Sequence, residues 1–213
     1  MDQTFIVETG APRRGVPSFT GESEMVVPPP RHELIDNPDG SQTRYSYFDA
    51  SEETLIRLTR ELFDDHWRRL TVGPWVLGAV FELTFDRAPK VTISNGYLTV
   101  DAGAWHFHLC IANYKASGLP ESHLLRRVSK VAFYDWRGDG SIKERSSGIR
   151  MWNGYGEQMT TIFFPHVLLG ETSHTVGPPN WENLRLYYEY RRRYLGESVP
   201  TDLEAAGRAP LRA

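Results

Sequence analysis

The sequence predicts an α+β fold: a mostly antiparallel, curled sheet of about six or seven strands, with a helix near each end packed on it. Three observations carry this expectation. Strand-like runs are grouped between residues 76 and 164 and do not alternate with helices, which argues against a doubly wound parallel sheet. Asn95-Gly96 and Asn153-Gly154 are hairpin signals, the first being the pair that a type I′ turn favours. Helical periodicity occurs once before these runs and once after them. Gly78, Gly96 and Gly103 are the positions at which such a sheet could bend sharply.

Residues 1–48 read as an irregular N-terminal extension. Pro12, Pro17 and Pro28-Pro29-Pro30 interrupt any helix, and Asn37-Pro38-Asp39-Gly40 is a turn. Thr43–Phe48 is a short strand or an arm laid on the domain. A single α+β domain is expected over 49–195. Its first helix, 50–69, opens on a capping box of Asp49 and Glu52. Leu55, Leu58, Leu62 and His66 follow as one apolar-facing stripe. Val76–Phe85 reads as a strand with Glu82 inside an otherwise apolar run. Lys90–Ser94, Tyr97–Asp101 and Ala104–Ala112 form a meander. A short helix over Glu121–Arg127 separates it from strands at Val128–Trp136, Gly148–Trp152 and Gln158–Phe164. Asn180 caps a last helix, 181–195. Residues 196–213, with Pro200, Gly207 and Pro210, read as a loosely ordered tail.

Composition narrows the function classes. The 213 residues carry 24 Lys and Arg against 27 Asp and Glu, a formal net charge of -3. That balance gives no general drive toward nucleic acid or acidic membranes. One cysteine excludes an internal disulfide and an all-cysteine metal site. No apolar run approaches the roughly 18 residues of a membrane span, and the first residues lack the pattern of a signal peptide. The expected partner is a small-molecule substrate or ligand, with neither nucleic acid nor membrane. The tyrosines and arginines of the last helix suit a homodimer contact. A cytoplasmic location is the expectation.

The segment Trp105–Ile111 (WHFHLCI) holds the most chemistry. Strand alternation sends Trp105, Phe107, Leu109 and Ile111 to one face, and His106, His108 and Cys110 to the other. Two imidazoles separated by roughly 6–7 Å of rise can turn toward one transition metal ion. A third ligand would come from Glu82, His66 or His166. Two histidines and a carboxylate match the open-sided site of non-haem iron oxygenases, which favours iron slightly over zinc. Cys110 is a ligand, a reactive thiol or filler. Arg150 offers a forked guanidinium to an anionic substrate. Trp105, Trp152 and Tyr155 are aromatics available to line a pocket.

The expected function is therefore a metal-dependent enzyme acting on a small molecule, an oxidoreductase in the first instance, with Glu82, Arg150 and Cys110 in catalytic roles. One alternative is a non-catalytic protein that binds haem, a metal or a small molecule, since a single histidine suffices for axial haem ligation. Another is a structural or assembly protein.

Overall fold

Ser51 starts the first helix: its Oγ accepts from the Thr54 backbone N–H at 3.3 Å. Asp49 braces the cap, its carboxylate accepting from the Ser51 N–H and from the Thr54 hydroxyl. The cap is thus two residues later than the expected Asp49, with Ser51 in the position that satisfies a free helical N–H. The helix, α1, runs Glu52–Asp65 and buries Leu55, Leu58, Leu62 and Phe63 completely. Each such side chain contributes about 1.5–3 kcal/mol of transfer free energy.

The structure is a computed structural model that describes residues 31–76, 79–112, 125–138, 140–170 and 178–212. In chain order, β1 (His32–Asp36) and β2 (Gln42–Phe48) precede α1, and β3 (Thr71–Gly73), β4 (Trp75–Val76) and β5 (Ala79–Val80) follow it. Next come β6 (Lys90–Ser94), β7 (Tyr97–Asp101) and β8 (His106–Cys110). Then come β9 (Val128–Arg137), β10 (Arg145–Asn153) and β11 (Gln158–Phe163). A 3-10 turn at Trp181–Leu184 leads into α2 (Arg185–Leu195), and α3 (Leu203–Arg208) ends the chain. Residues 1–30, most of the expected extension, and most of the short helix expected over 121–127 lie outside the described residues.

Among the described residues the strands form three flat antiparallel sheets, where a single curled sheet was expected. The largest has the order β1-β2-β9-β10-β11-β3; β4-β5 is a two-stranded ribbon, and β6-β7-β8 is a separate three-stranded sheet. Of the three helices among the described residues, two pack near the ends of the sheet. The correction has a physical reason. Gly96 and Gly103 have φ of 80° and 86° and lie in the turns beside β7, so they end strands instead of bending them. Gly78 lies outside the described residues. The apolar run 76–85 also fails to form one strand. Its start folds into the β4-β5 ribbon, and its remainder pairs with the large sheet through the isolated bridge Val72–Leu83 and packs Phe85 against the core.

One core joins these parts. The α1 leucines meet Val131 and Phe133 of β9, Ile149 and Met151 of β10, Leu98, Val100 and Leu109 of the small sheet, and Leu186, Tyr187 and Tyr190 of α2. The other face of the large sheet carries Tyr45, Tyr47, Tyr134 and Trp152. The chain beyond 196 belongs to the body: Leu203 packs with Val167, Leu168 and Leu184, and Asp202 caps α3 through the Ala205 N–H.

Candidate functional site

Alternation along β9 and β10 sets the composition of one sheet end. Phe133, Asp135 and Arg137 share a face on β9; Met151, Ile149, Ser147 and Arg145 share it on β10. The inner part of that face is the hydrophobic core, and the outer part turns charged. Arg137 and Arg145 are direct cross-strand partners, and Arg44 of β2 stands opposite Asp135. Like charges directly opposed on a sheet repel.

Asp135 resolves only part of this. Arg137 donates to both of its oxygens, from Nε at 2.8 Å and Nη2 at 3.0 Å. Its Nη1 donates to the Gly207 carbonyl at 2.6 Å, so its fork is fully used. Burial works against the Arg137 charge, but the Asp135 carboxylate holds its pKa above the ordinary value. Arg145 is only 7% exposed, and its Nη1 shares the same Gly207 carbonyl at 2.9 Å. Among the described residues it has no carboxylate partner. Burial, reinforced by the Arg137 charge, lowers its pKa.

Two clefts meet at Arg145. One, of about 400 Å³, lies between the β9–β10 hairpin and the C-terminal segment; Arg137, Glu144, Trp181 and Gly207–Leu211 help to line it. The other, of about 270 Å³, is lined by Thr71, Glu82, Ser147 and His166 among others. Gly207 is required by the first cleft's wall, since a Cβ there would stand 2.4 Å from the Trp181 ring. In the second, His166 Nδ1 accepts from the Leu168 N–H, which places the ring proton on Nε2. Among the described residues, that buried Nε2 reaches no acceptor at hydrogen-bonding geometry. Burial, with help from Arg145, depresses the His166 pKa, and the nearby Ile142 carbonyl opposes this.

The residues singled out from sequence are dispersed. His106 and His108 are exposed on β8, with ring centroids 5.1 Å apart, and His108 Nδ1 is 2.7 Å from the Thr99 hydroxyl. Cys110 is buried beyond them; its thiol donates to the Ala112 carbonyl, and burial pushes its pKa up. His66 ends α1 half-buried, edge-on to Tyr190. Glu82 and His166 do share a cleft, away from the β8 pair. Among the described residues, no three of His, Cys, Asp and Glu stand close enough to hold a metal ion.

The remaining candidates serve the fold or the surface. Trp105 stacks on Phe107 and tilts on Phe85, Trp152 packs edge-on to Tyr45, and Tyr155 is 60% exposed in the β10–β11 turn. Arg150 lies over the Tyr134 ring at 4.1 Å and donates to the Tyr45 hydroxyl. The sequence reading missed Arg137, Arg145, Trp181 and Gly207. The signal was a basic residue at each end of the 138–144 loop, which a hairpin places face to face.

No curated protein matches this chain in sequence. The crystal structure of ChuX is similar to it with a TM-score of 0.47 and 14% identity, over 75% of this chain and 79% of that one. A likeness at that level carries no argument about function. Residues 32–196, from β1 through α2 and the core between them, match the model of a family of unknown function, DUF7676, and the chain belongs to that family.

Proposed function

We propose that the protein is a non-catalytic binding protein for a small molecule, held in the cleft between the β9–β10 hairpin and the C-terminal segment. The observation that supports this most is Arg145, a buried side chain that has no carboxylate partner among the described residues, in the wall of a roughly 400 Å³ cleft. A protein gains no stability from burying an unpaired cation, so the arrangement suits a ligand that completes it. The volume falls in the lower part of the range for small-molecule sites, about 300–1,000 Å³.

The lining residues favour binding over catalysis. The cleft's cations are arginines, which keep their protons throughout the physiological range and do not serve as general acids or bases there. They also favour a small polar molecule over haem, because among the described residues no His, Cys, Met or Tyr lines the cleft to ligate an iron. The test is a fragment screen by NMR, with the Trp181 indole N–H assigned by Trp181→Phe as reporter. Hits that shift this signal saturably are expected. A metabolite-like library that leaves it unmoved removes the reading.

A further inference from the structure

We infer that the ligand carries an oxyanion, a carboxylate or a phosphate, which takes a two-point hydrogen bond from the Nε and Nη2 edge of Arg145. This rests on the binding reading above and specifies its chemistry. Of the three donor nitrogens of Arg145, Nη1 alone has a hydrogen-bond partner among the described residues, the Gly207 carbonyl. The Nε–Nη2 edge is the side of a guanidinium that matches a carboxylate or phosphate oxygen for oxygen. Arg137 shows the same geometry already satisfied: its Nε and Nη2 grip the two oxygens of Asp135. Arg145, its direct cross-strand partner, lacks the equivalent carboxylate.

The local charge points the same way. Arg44, Arg137 and Arg145 are gathered around one carboxylate, Asp135, and the buried Arg44 Nε meets no acceptor among the described residues. Glu197, a second acid at this end, is committed to Arg191. Glu144 lines the cleft but is exposed, and Arg208, also in the lining, is paired with Glu204. The neighbouring cleft is less suited to an anion because, among the described residues, Arg145 is the one arginine in its wall, against Arg137, Arg145 and Arg208 here. An oxyanion in the larger cleft would supply the missing negative charge where water is partly excluded and the attraction is least screened.

The experiment titrates full-length protein with succinate, inorganic phosphate and uncharged succinamide, reading the Trp181 indole signal and calorimetric binding. Succinate or phosphate should bind saturably, and succinamide at least about tenfold more weakly. Whichever anion binds more tightly identifies the head group. Arg145→Gln should weaken the anion by about tenfold or more, while circular dichroism and melting temperature confirm the fold. Arg145→Lys, which keeps the charge and loses the fork, guards against failure of the first variant to fold, and should give an intermediate loss. Equal binding of succinamide and succinate overturns the oxyanion assignment and leaves the binding reading standing. So does anion binding unchanged in both variants. If neither anion moves the signal, the assignment also fails, and the fragment screen decides separately whether the cleft binds anything.

Discussion

Arg191 is 2% exposed within α2, and its charge depends on a single carboxylate, that of Glu197, at 2.7 Å. Nη1 of the same guanidinium donates to the Ser46 and Tyr187 hydroxyls, so the group is fully engaged between β2 and α2. Glu197→Gln keeps the shape and removes the counter-charge. The expected cost is about 3 kcal/mol, the lower end for stranding one member of a buried pair, because Glu197 itself is 30% exposed. Urea denaturation of the variant checks it; a change under about 0.5 kcal/mol would mean the pair is energetically neutral. The β8 histidines behave in the opposite way. Exposed as they are, His106→Ala with His108→Ala should change stability by no more than about 0.5 kcal/mol. Elemental analysis of wild type beside that double variant tests the metal reading on its own terms. Stoichiometric metal that disappears with the two imidazoles would revive it. The contrast shows what residue types alone reveal. Alternation gave His106 and His108 a common face, but it could not supply the third ligand, which depends on how the small sheet sits against everything else. Arg145 was invisible for a related reason: an arginine after a Gly-rich loop reads as solvated until its strand register buries it.

Gly148 shows how closely the large sheet is built at the level of its strands. It lies in β10 opposite Phe163, and a Cβ added there would stand 2.1 Å from the Ile162 carbonyl oxygen of β11. That neighbour is backbone, held in the β10–β11 ladder, and cannot rotate away. Gly148→Ala should therefore cost about 1–3 kcal/mol, the usual range for an overpacked position. A thermal melt checks it, and an unchanged melting temperature would show that β11 yields locally. Strand and helix identities were largely readable because they rest on local signals. The Leu55, Leu58 and Leu62 stripe is buried as periodicity requires, and Asn95-Gly96 turns β6 into β7 with φ of 52° and 80°. Sheet membership was not readable. Nothing between residues 90 and 164 marks where one sheet stops and another begins, because that is decided by which edges find hydrogen-bond partners. The pairing of β2 with β9 spans a sequence separation that no local signal records. The short helix α3 was missed because six residues are too few for a periodic stripe, and its order comes from Leu203 and Gly207 packing on the body.

At the scale of the whole molecule, three partly buried histidines give the fold a common pH dependence. His32 meets Ser46 beside the Arg191 network, His66 closes α1 against Tyr190, and His166 sits under the Arg145 wall. Burial is the largest influence on each, and each is displaced below the ordinary histidine value of 6.5. The native state therefore favours neutral imidazoles, whereas the unfolded chain takes up protons as pH falls through about 6.5. Over that window the unfolded state binds more protons, so stability rises with pH. The contribution is fully present above about pH 6.5 and is lost as pH falls toward and through the depressed native values. Asp39, Asp49 and Glu182, which are held below their ordinary carboxylate values by hydrogen bonds from Ser41, Ser51 and Arg185, shift stability in the same direction, but only in a more acidic range. Urea denaturation at pH 7.5, 6.5 and 5.5 thus isolates the histidines. A progressive fall is expected across the three conditions. His166→Asn, whose amide oxygen can still accept from the Leu168 N–H, should make that fall shallower. Stability that is flat or rising toward pH 5.5 would show that these rings charge without penalty. A fall of the same size in His166→Asn would place the pH dependence on His32 and His66, at the β1–β2 and α1–α2 contacts, and take it away from the wall of the cleft.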